Sequence, residues 1–376
     1  MMGYSPNENK APSTRAITLY NEIRKNFPDT YLCMNEGDTR CDDNNYYLLR
    51  PLFSSKGKYR IIRSLKYIIS KIHIIIEILI FIRQKKITSI ILRGYDTAFL
   101  FPFLKIQKIK TFYDFHGRLD LEIIQQNRQK RNTLAAFVYL CDKINLHLAD
   151  KILVVSEGIL SQIPEYQHKC LILQNGVDIK MIELAKNRMP TIELPVDVYI
   201  VGFIGNWEQV MIMDDICNAV DSIDNAISLI IGKGYDAERI FSHYNDGIKH
   251  IFTGQIDQKN AINLLHRMNV CVIPYNKDYY MSNIRNFFSS RKIFEYISAG
   301  KPIIISNIKG KPEFLIENKN CLIYESGNPK DLAEKILLLK NNPKIAEEMS
   351  KNNKELSKKF TWKDIIENSG ILDELI

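Results

Sequence analysis

Short apolar runs alternate with longer helical patterns along the 376-residue chain. The runs are apolar at successive positions, which is typical of strands buried on both faces of a parallel sheet. Helix-length segments of about 10–20 residues separate most of them. The pattern predicts strands at 87–92, 110–113, 151–155, 170–173, 198–204, 226–231, 249–252, 270–273, 302–306 and 321–324.

Ten strands are more than one ordinary open sheet contains. The sequence therefore predicts an α/β protein with two Rossmann-like, doubly wound parallel-sheet domains that face each other across a cleft. The proposed divisions are an N-terminal domain at 1–185, a linker with two prolines at 186–197, a second domain at 198–358 and a C-terminal helix at 359–376 that could return to the first domain. Only residues 1–4 precede the polar loop 5–15, so the first strand is either very short or truncated.

A long helix is predicted at 61–84, and its apolar residues nearly encircle it. Two interpretations stay open. The helix is packed in the core with a few solvated lysines, or its basic end rests on anionic lipid headgroups. The basic residues of that end are Lys56, Lys58, Arg60, Arg63 and Lys66.

The positive charge of the chain is concentrated in one region. Lys and Arg number 51 against 43 Asp and Glu, a net charge of +8. Residues 51–131 hold 17 basic and 5 acidic residues, a local net charge of +12, and the remainder has a net charge of −4. Region 51–131 therefore predicts an anionic partner. No nucleic-acid-binding module is recognisable, so nucleic acid is not expected.

Cysteine usage and the N-terminus indicate a cytoplasmic protein. The seven cysteines include no C-x-x-C pair, which favours a reducing compartment over a disulfide framework. The first residues are polar and contain no signal-peptide pattern. No apolar run reaches the ~18–20 residues of a membrane-spanning helix.

The segment 289–306, SSRKIFEYISAGKPIIIS, predicts a loop, a helix and a strand. Ser289 or Ser290 suits the N-cap, Gly300 suits the residue just past the helix, and Pro302 ends it. A helix N-terminus binds phosphate well because its N–H groups are unpaired and its dipole is positive there.

Three charged side chains lie near that helix start. Arg291 and Lys292 add positive charge, and Glu295 lies on the same face at i+4 and i+3. Two cations and a carboxylate in this order suit a nucleoside diphosphate, with the carboxylate accepting hydrogen bonds from ribose hydroxyls. The alternative is a surface Arg291–Glu295 pair worth about 0.3–0.5 kcal/mol.

The segment resembles the nucleotide-sugar signature of GT-B glycosyltransferases, specifically the retaining group called glycosyltransferase family 4. Other segments match that family in the same order, between about residues 110 and 362. They are TFYDFHGR (111–118), ADKILVVS (149–156), QNGVD (174–178), GFIGNW (202–207), IGKG (231–234), FTG (252–254), VIPY (272–275), PEFL (312–315) and YESGN (324–328).

The resemblance implies a role for each site residue. Glu295 would hold the ribose, and Lys292 with Arg291 would neutralise the diphosphate leaving group. Gly205 would let the backbone approach the phosphates closely. The other implied donor-binding residues are Asn206, Ser290 and Lys233.

One position and one segment depart from the family pattern. Phe287 replaces a second Glu that the family has eight residues before the ribose Glu, and residues 207–213 hold no cation. More of the charge neutralisation would then fall on Arg291, Lys292 and Arg285.

In the N-terminal half, the resemblance assigns His116 to the wall that contacts the donor sugar, with Gly117 allowing close approach. An isolated histidine is otherwise more often a structural residue. Asp114 would orient His116 or form part of the acceptor pocket. The loop 7–15 would touch acceptor or donor, or be a solvated N-terminal loop.

Together these features predict an enzyme that moves a hexose-type sugar from a UDP- or GDP-sugar to a saccharide or lipid-diphosphate-linked acceptor. Retention of configuration, bacterial surface polysaccharide synthesis and peripheral contact of region 51–131 with the anionic inner face of the plasma membrane are implied by the resemblance. No cofactor and no metal are expected, since no D-x-D triplet is present. The alternatives are a nucleotide-sugar epimerase and a non-catalytic GT-B-like binding or partner protein.

Overall fold

The computed structural model describes residues 11–35, 45–49, 60–126, 132–188, 192–207, 210–278, 290–308 and 311–375. The chain divides into two compact units. Unit 1 consists of Met1–Gln174 and Ile366–Ile376, and unit 2 consists of Asn175–Ile365. The division after Gln174 lies before the linker 186–197 that the two prolines suggested. The predicted first strand, at residues 1–4, lies outside the described residues.

Unit 1 holds two parallel sheets and the helices that connect their strands. Its elements are α1 (Ala11–Asn26), β1 (Leu32–Asn35), β2 (Tyr46–Leu49), α2 (Arg60–Lys85), β3 (Ser89–Leu92), a 3-10 turn (Tyr95–Phe99), α3 (Phe101–Ile106), β4 (Lys110–Phe115), α4 (Leu119–Gln126), α5 (Asn132–Leu148), β5 (Lys151–Val154), α6 (Glu157–Leu160), a second 3-10 turn (Pro164–Lys169) and β6 (Cys170–Ile172).

The main sheet of unit 1 has the order β3-β4-β5-β6 with every pair parallel. The short pair β1-β2 is also parallel. Parallel pairing puts the carboxyl ends of these strands at one edge, so the segments after Leu92, Phe115 and Ile172 lie together. The residues that follow β3 and β4 include Arg93 and His116.

Unit 2 contains the larger sheet. Its elements are α7 (Ile179–Lys186), β7 (Tyr199–Ile204), α8 (Met213–Asp221), β8 (Ala226–Ile231), α9 (Ala237–Tyr244), β9 (His250–Gly254), α10 (Gln258–Arg267), β10 (Val270–Ile273), α11 (Arg291–Ser298), β11 (Ile303–Ser306), β12 (Leu322–Tyr324), α12 (Pro329–Asn341), α13 (Pro343–Ser357), a 3-10 turn (Lys358–Phe360) and the first part of α14 (Trp362–Asn368). The final helix, α15 (Ile371–Glu374), belongs to unit 1.

The six strands of unit 2 are all parallel, in the order β9-β8-β7-β10-β11-β12. In order along the chain, this is the Rossmann arrangement 3-2-1-4-5-6. The strand order reverses between β7 and β10. Ligands of such sheets bind at the carboxyl ends of the strands on either side of that reversal.

Both faces of the unit 2 sheet are buried, which explains why its strands are apolar throughout. Ile200 and Ile204 of β7 pack on one side with residues of α7, α10 and α11. Val201 and Phe203 pack on the other side with residues of α8 and α12. Position 202, between Val201 and Phe203 in the sequence, requires glycine because a Cβ there would fall 1.9 Å from Met268 Sδ.

The predicted α/β class, with two doubly wound parallel-sheet domains, is confirmed. Each of the ten predicted strands is present within a few residues, and the helix predicted at 61–84 spans Arg60–Lys85. The strands β1 and β2 were not predicted. None of the helices within the described residues combines the length and the hydropathy needed to cross a membrane.

Candidate functional site

The loop after β7 lies at the carboxyl edge of the unit 2 sheet, where the strand order reverses. It returns along the segment after β10: Ile212 N–H donates to Pro274 O (2.8 Å), and Asn276 N–H donates to Val210 O (2.7 Å). Met211 and Tyr275 form an antiparallel bridge between them. The loop is therefore held beside both strands that border the reversal.

Two glycines allow this loop to pack directly on the loop after β8. Gly205 and Gly232 have φ of +124° and +119°, and a Cβ on Gly232 would fall 2.3 Å from Gly205 O. A bridge between Trp207 and Gly234 closes the other end of the contact. Asn206 and Lys233, both exposed, stand between these two contacts on adjacent loops.

Helix α11 begins at the same edge because it connects the carboxyl end of β10 to β11. Ser290 is its N-cap residue, and the Ser290 side chain makes no capping hydrogen bond. The helix ends in a Schellman motif: Gly300 N–H donates to Ile297 O and Lys301 N–H to Tyr296 O, both at 3.0 Å, with Gly300 at φ +65°.

Tyr296 fixes the helix against the end of β7. Its fully buried hydroxyl accepts a hydrogen bond from Ile204 N–H at 2.8 Å. Burial raises the pKa of this phenol well above its usual value, so it stays protonated. The residue before Gly205 is thereby tied to α11, and the two parts of the site hold a fixed spacing.

Lys292 extends from the first turn of α11 to the glycine loop. A Cβ on Gly205 would lie 3.1 Å from Lys292 Cε and 3.7 Å from Nζ. The ammonium group lies 5.1 Å from the centroid of the Phe203 ring and 4.0 Å from Met211 Sδ. The structure thus brings a lysine charge, a glycine backbone and a helix N-terminus together, a combination suited to phosphate groups.

Glu295 lies one turn further along α11. Gln258, the first residue of α10, donates from Nε2 to Glu295 Oε1 at 3.3 Å. Arg291 NH2 lies 3.8 Å from the same oxygen. Both contacts are made by Oε1, which orients the carboxylate. Arg291 is therefore turned toward Glu295, which is the pairing that the alternative interpretation of the sequence predicted.

Unit 1 has a buried charge cluster at the carboxyl edge of its own sheet. Asp114, in β4, receives Arg15 NH2 on Oδ1 (3.3 Å) and Arg15 Nε on Oδ2 (3.4 Å). Arg93 NH1 lies 3.6 Å from Oδ2, and His116 Nε2 lies 2.9 Å from it. Arg15 also donates to Leu173 O at 2.8 Å and Gln174 O at 3.1 Å.

This cluster fixes the protonation of its members. Burial acts to raise the pKa of Asp114, but Arg15, His116 and Arg93 outweigh it and hold that pKa far below its usual range. Burial lowers the pKa of His116 to about 4, against the opposite effect of Asp114. The carboxylate accepts from Nε2–H, so Nδ1 of the neutral ring is an acceptor. The His116 side chain is 29% exposed.

A match to a known protein family covers the part of the chain that contains α11. Residues 186–356 match the family model of glycosyl transferases group 1. The matched segment contains the strand reversal, the two glycine loops, Lys292 and Glu295.

Curated relatives carry the same type of name. An uncharacterized glycosyltransferase of Methanocaldococcus jannaschii is 27% identical over 222 residues, which are 58% of this chain and 57% of the relative. The capsular polysaccharide biosynthesis glycosyltransferase CapM of Staphylococcus aureus is 23% identical over 258 residues, 61% of this chain and 63% of the relative. The chain thus spans somewhat more than half the length of these relatives.

Solved structures share the fold over nearly the whole chain. Sucrose-phosphate synthase from Thermosynechococcus elongatus has a TM-score of 0.71 at 18% identity, covering 95% of this chain and 92% of that one. Anabaena HepE in complex with UDP has a TM-score of 0.67 at 11% identity, covering 98% of each chain. The predicted GT-B fold is thereby confirmed, whereas family 4 membership stays a prediction.

Within unit 2, the structure brings the predicted donor residues to one sheet edge. Gly205, Asn206 and Lys233 lie on the two loops, and Ser290 and Lys292 lie at the helix start. Ser289, Arg285 and Phe287 lie outside the described residues, as does the part of the loop 7–15 that precedes Ala11. That loop ends earlier than predicted, since α1 begins at Ala11.

Sequence reasoning missed four residues that support the site: Arg15, Arg93, Gln258 and Tyr296. Gln258 carried a signal, since it follows Asp257, which caps α10 at the carboxyl edge. Arg15 and Arg93 carried none, because their positions in the sequence do not show that both reach Asp114. The described residues contain no group of three or more His, Cys, Asp or Glu placed to hold a metal ion.

Proposed function

We propose that this protein transfers a hexose-type sugar from a UDP- or GDP-sugar to a saccharide or lipid-linked saccharide acceptor, with retention of configuration and without a metal. The observation that carries the proposal is the start of α11. Lys292 reaches a glycine loop with positive φ, and Glu295 is oriented one turn later. The presence of UDP in the HepE structure supports a nucleotide ligand for this fold.

In this proposal the nucleoside diphosphate lies along the first two turns of α11. Its phosphates would contact the N–H groups of the first turn and Lys292, with the backbone at Gly205 and Asn206 close by. The Glu295 carboxylate would accept the ribose hydroxyls, while Gln258 and Arg291 hold its other oxygen. Lys233, on the adjacent exposed loop, would add positive charge near the phosphates.

The role of these residues in the reaction is to stabilise the leaving group. As the bond from the sugar carbon to the diphosphate breaks, negative charge grows on the phosphate oxygens. A lysine and a helix N-terminus already in place stabilise that charge without reorganising. The oxygen of the acceptor hydroxyl bonds to that sugar carbon as the departing phosphate takes the hydroxyl proton, so no protein base is needed.

His116 would contact the donor sugar. Because the ring is neutral and Nε2 is bound to Asp114, Nδ1 can accept a hydrogen bond from a sugar hydroxyl. Arg15 and Arg93 hold Asp114, and therefore set the orientation of the ring. Arg291 would mainly hold the Glu295 carboxylate and only secondarily neutralise the phosphates, because its guanidinium faces the carboxylate.

We further propose a cytoplasmic role in bacterial surface polysaccharide synthesis, at the inner face of the plasma membrane. Similarity to a capsular polysaccharide glycosyltransferase supports this setting. The net charge of +12 in region 51–131 suits an anionic acceptor or an anionic lipid surface.

A panel of nucleotides and nucleotide sugars tests the donor proposal by thermal shift. UDP or GDP derivatives should raise the melting temperature of the wild-type protein. Lys292→Ala and Glu295→Ala should each weaken binding roughly 10–100-fold, as expected for a lost hydrogen bond to a charged group. Slow release of diphosphate from the donor without acceptor should disappear in the same variants.

Lys351→Ala is the matched control, because Lys351 is an exposed lysine on α13, and it should bind nucleotides like the wild type. If no nucleotide stabilises the wild-type protein, the transferase proposal fails and the non-catalytic alternative replaces it. Conversion of the donor to an isomer without transfer would indicate the epimerase.

A further inference from the structure

Helix α2 exposes a continuous apolar face. Ile68, Ile69, Ile72, Ile76 and Ile80 have exposed fractions of 40–53%, and we call them the isoleucine face. Their spacing of three and four residues places them on one side of the helix, over about 18 Å at 1.5 Å per residue. A soluble helix normally presents charged residues on this side.

The opposite side of α2 is already used. Ile74, Ile78, Phe81 and Ile82 are buried in unit 1, and Phe81 packs on Tyr31 and Tyr47 with ring centroids 5.4 and 4.5 Å apart. The helix is thus anchored to the unit by one face. The isoleucine face is an addition that packing within unit 1 does not require.

The charged side chains between Ile68 and Ile80 are directed away from the isoleucine face. Lys71 forms an ion pair with Asp96 of the 3-10 turn Tyr95–Phe99. Glu77 accepts a hydrogen bond from the Tyr47 hydroxyl at 2.9 Å. No charged side chain therefore lies among the isoleucines. Among the described side chains of this region, the exposed basic residues are Arg83, Lys85 and Lys86, at the C-terminal end of the helix.

The apolar surface extends beyond α2. The same 3-10 turn carries Phe99, which is 49% exposed and packs on Phe137 of α5, with ring centroids 6.2 Å apart. Phe103 and Ile106 of α3 and Leu140 of α5 are also exposed. The turn whose Asp96 pairs with Lys71 therefore also carries exposed aromatic surface.

We infer that the isoleucine face, with the basic residues at its end, docks unit 1 onto an anionic lipid surface. Apolar side chains would enter the boundary between headgroups and acyl chains, while Arg83, Lys85 and Lys86 contact the phosphates. Charge decides between the occupants. A second copy would bring two regions of +12 together, whereas an anionic bilayer neutralises that charge.

The inference rests on the proposed function, because it names the surface by which the transferase would reach a lipid-linked acceptor. Its test needs no donor. Full-length protein is sedimented with vesicles of phosphatidylglycerol and phosphatidylcholine in equal parts, and with vesicles of phosphatidylcholine alone. The wild type should bind the mixed vesicles, bind phosphatidylcholine far less, and lose binding as the salt concentration rises.

The double variant Ile72→Ser/Ile76→Ser should bind the mixed vesicles roughly tenfold more weakly, because two half-exposed isoleucines no longer enter the lipid. Arg83→Glu should reduce the preference for phosphatidylglycerol. The control is Leu184→Ser/Ile248→Ser, which removes two exposed apolar residues from unit 2 and should bind like the wild type.

Three results would overturn the inference. One is the absence of wild-type binding to the mixed vesicles, and another is unchanged binding of the isoleucine double variant. The third is a wild-type dimer in lipid-free solution that the double variant converts to a monomer, which would assign the face to a second copy. Stabilisation by UDP or GDP, measured on the same double variant, reports on the donor site separately and should persist.

Discussion

At the scale of single residues, both candidate sites depend on charged groups that other side chains hold in place. Asp114 is buried among Arg15, Arg93 and His116, and Glu295 is oriented by Gln258 and Arg291. A buried carboxylate is tolerated only when partners replace the water it has lost. The orientation of the two candidate site residues, His116 and Glu295, therefore depends in part on Arg15 and Gln258, which are distant from them in sequence.

Asp142 offers a titration test of burial in unit 1. Burial raises the pKa of Asp142 to about 7, although the Tyr113 hydroxyl donates to it at 2.6 Å. The native state then holds a proton that the unfolded chain releases near pH 4. The free energy of unfolding therefore falls as pH rises from about 4 to about 7.

We compare the free energy of unfolding of Asp142→Asn with that of the wild type. The difference in favour of the variant should be roughly 2–4 kcal/mol larger at pH 8 than at pH 4, because the amide never ionises. Urea unfolding at the two pH values measures this difference. An advantage of Asp142→Asn that is equal at both pH values would show that Asp142 titrates normally.

At the scale of secondary structure, α11 is placed by its two ends and one side chain. The Schellman motif at Gly300 ends it, and the Tyr296 hydroxyl ties its buried side to β7. The first turn then projects at the carboxyl edge of the sheet. The glycine loop completes the site because Gly205 leaves room for Lys292.

Gly205→Ala tests that arrangement. The new Cβ would lie 3.1 Å from Lys292 Cε, and alanine is strained at φ +124°. We expect nucleotide affinity to fall at least roughly tenfold as Lys292 is displaced, by isothermal titration calorimetry. Gly247→Ala is the control, since Gly247 has φ +72° but nothing within 4 Å of its Cβ position. Equal affinity loss in both variants would argue against a role for Gly205.

At the scale of the whole molecule, the chain ends in the unit where it began. Residues Ile366–Ile376 belong to unit 1, and Glu374 pairs with Lys110 at 3.1 Å and Lys151 at 2.5 Å, the first residues of β4 and β5. Ile371 is fully buried. The apolar contact should contribute more to stability than the exposed ion pairs.

We predict that Ile371→Ala lowers the free energy of unfolding by about 2–4 kcal/mol, the usual cost of removing a buried isoleucine side chain. Thermal unfolding should show a clear loss for Ile371→Ala and little change for Glu374→Gln. The opposite order would mean that the ion pairs, and not the buried side chain, hold the C-terminal segment.

Local pattern alone determined the ten predicted strands, the helix now seen at Arg60–Lys85 and the limits of α11, because burial on both faces and glycine or proline at element ends are properties of neighbouring residues. The strands β1 and β2 were not predicted. The interpretation of α2 as a helix packed in the core holds for one side of the helix only, because the sequence pattern does not reveal which of two apolar faces finds a partner.

Only the tertiary structure decided which distant side chains meet. Arg15 reaches Asp114 across 99 positions of the chain, and Gln258 reaches Glu295 across 37. Such contacts depend on strand order and helix placement, which put the ends of separate strands at one edge. A local pattern fixes what each element is, whereas the packing of elements fixes which residues share a site.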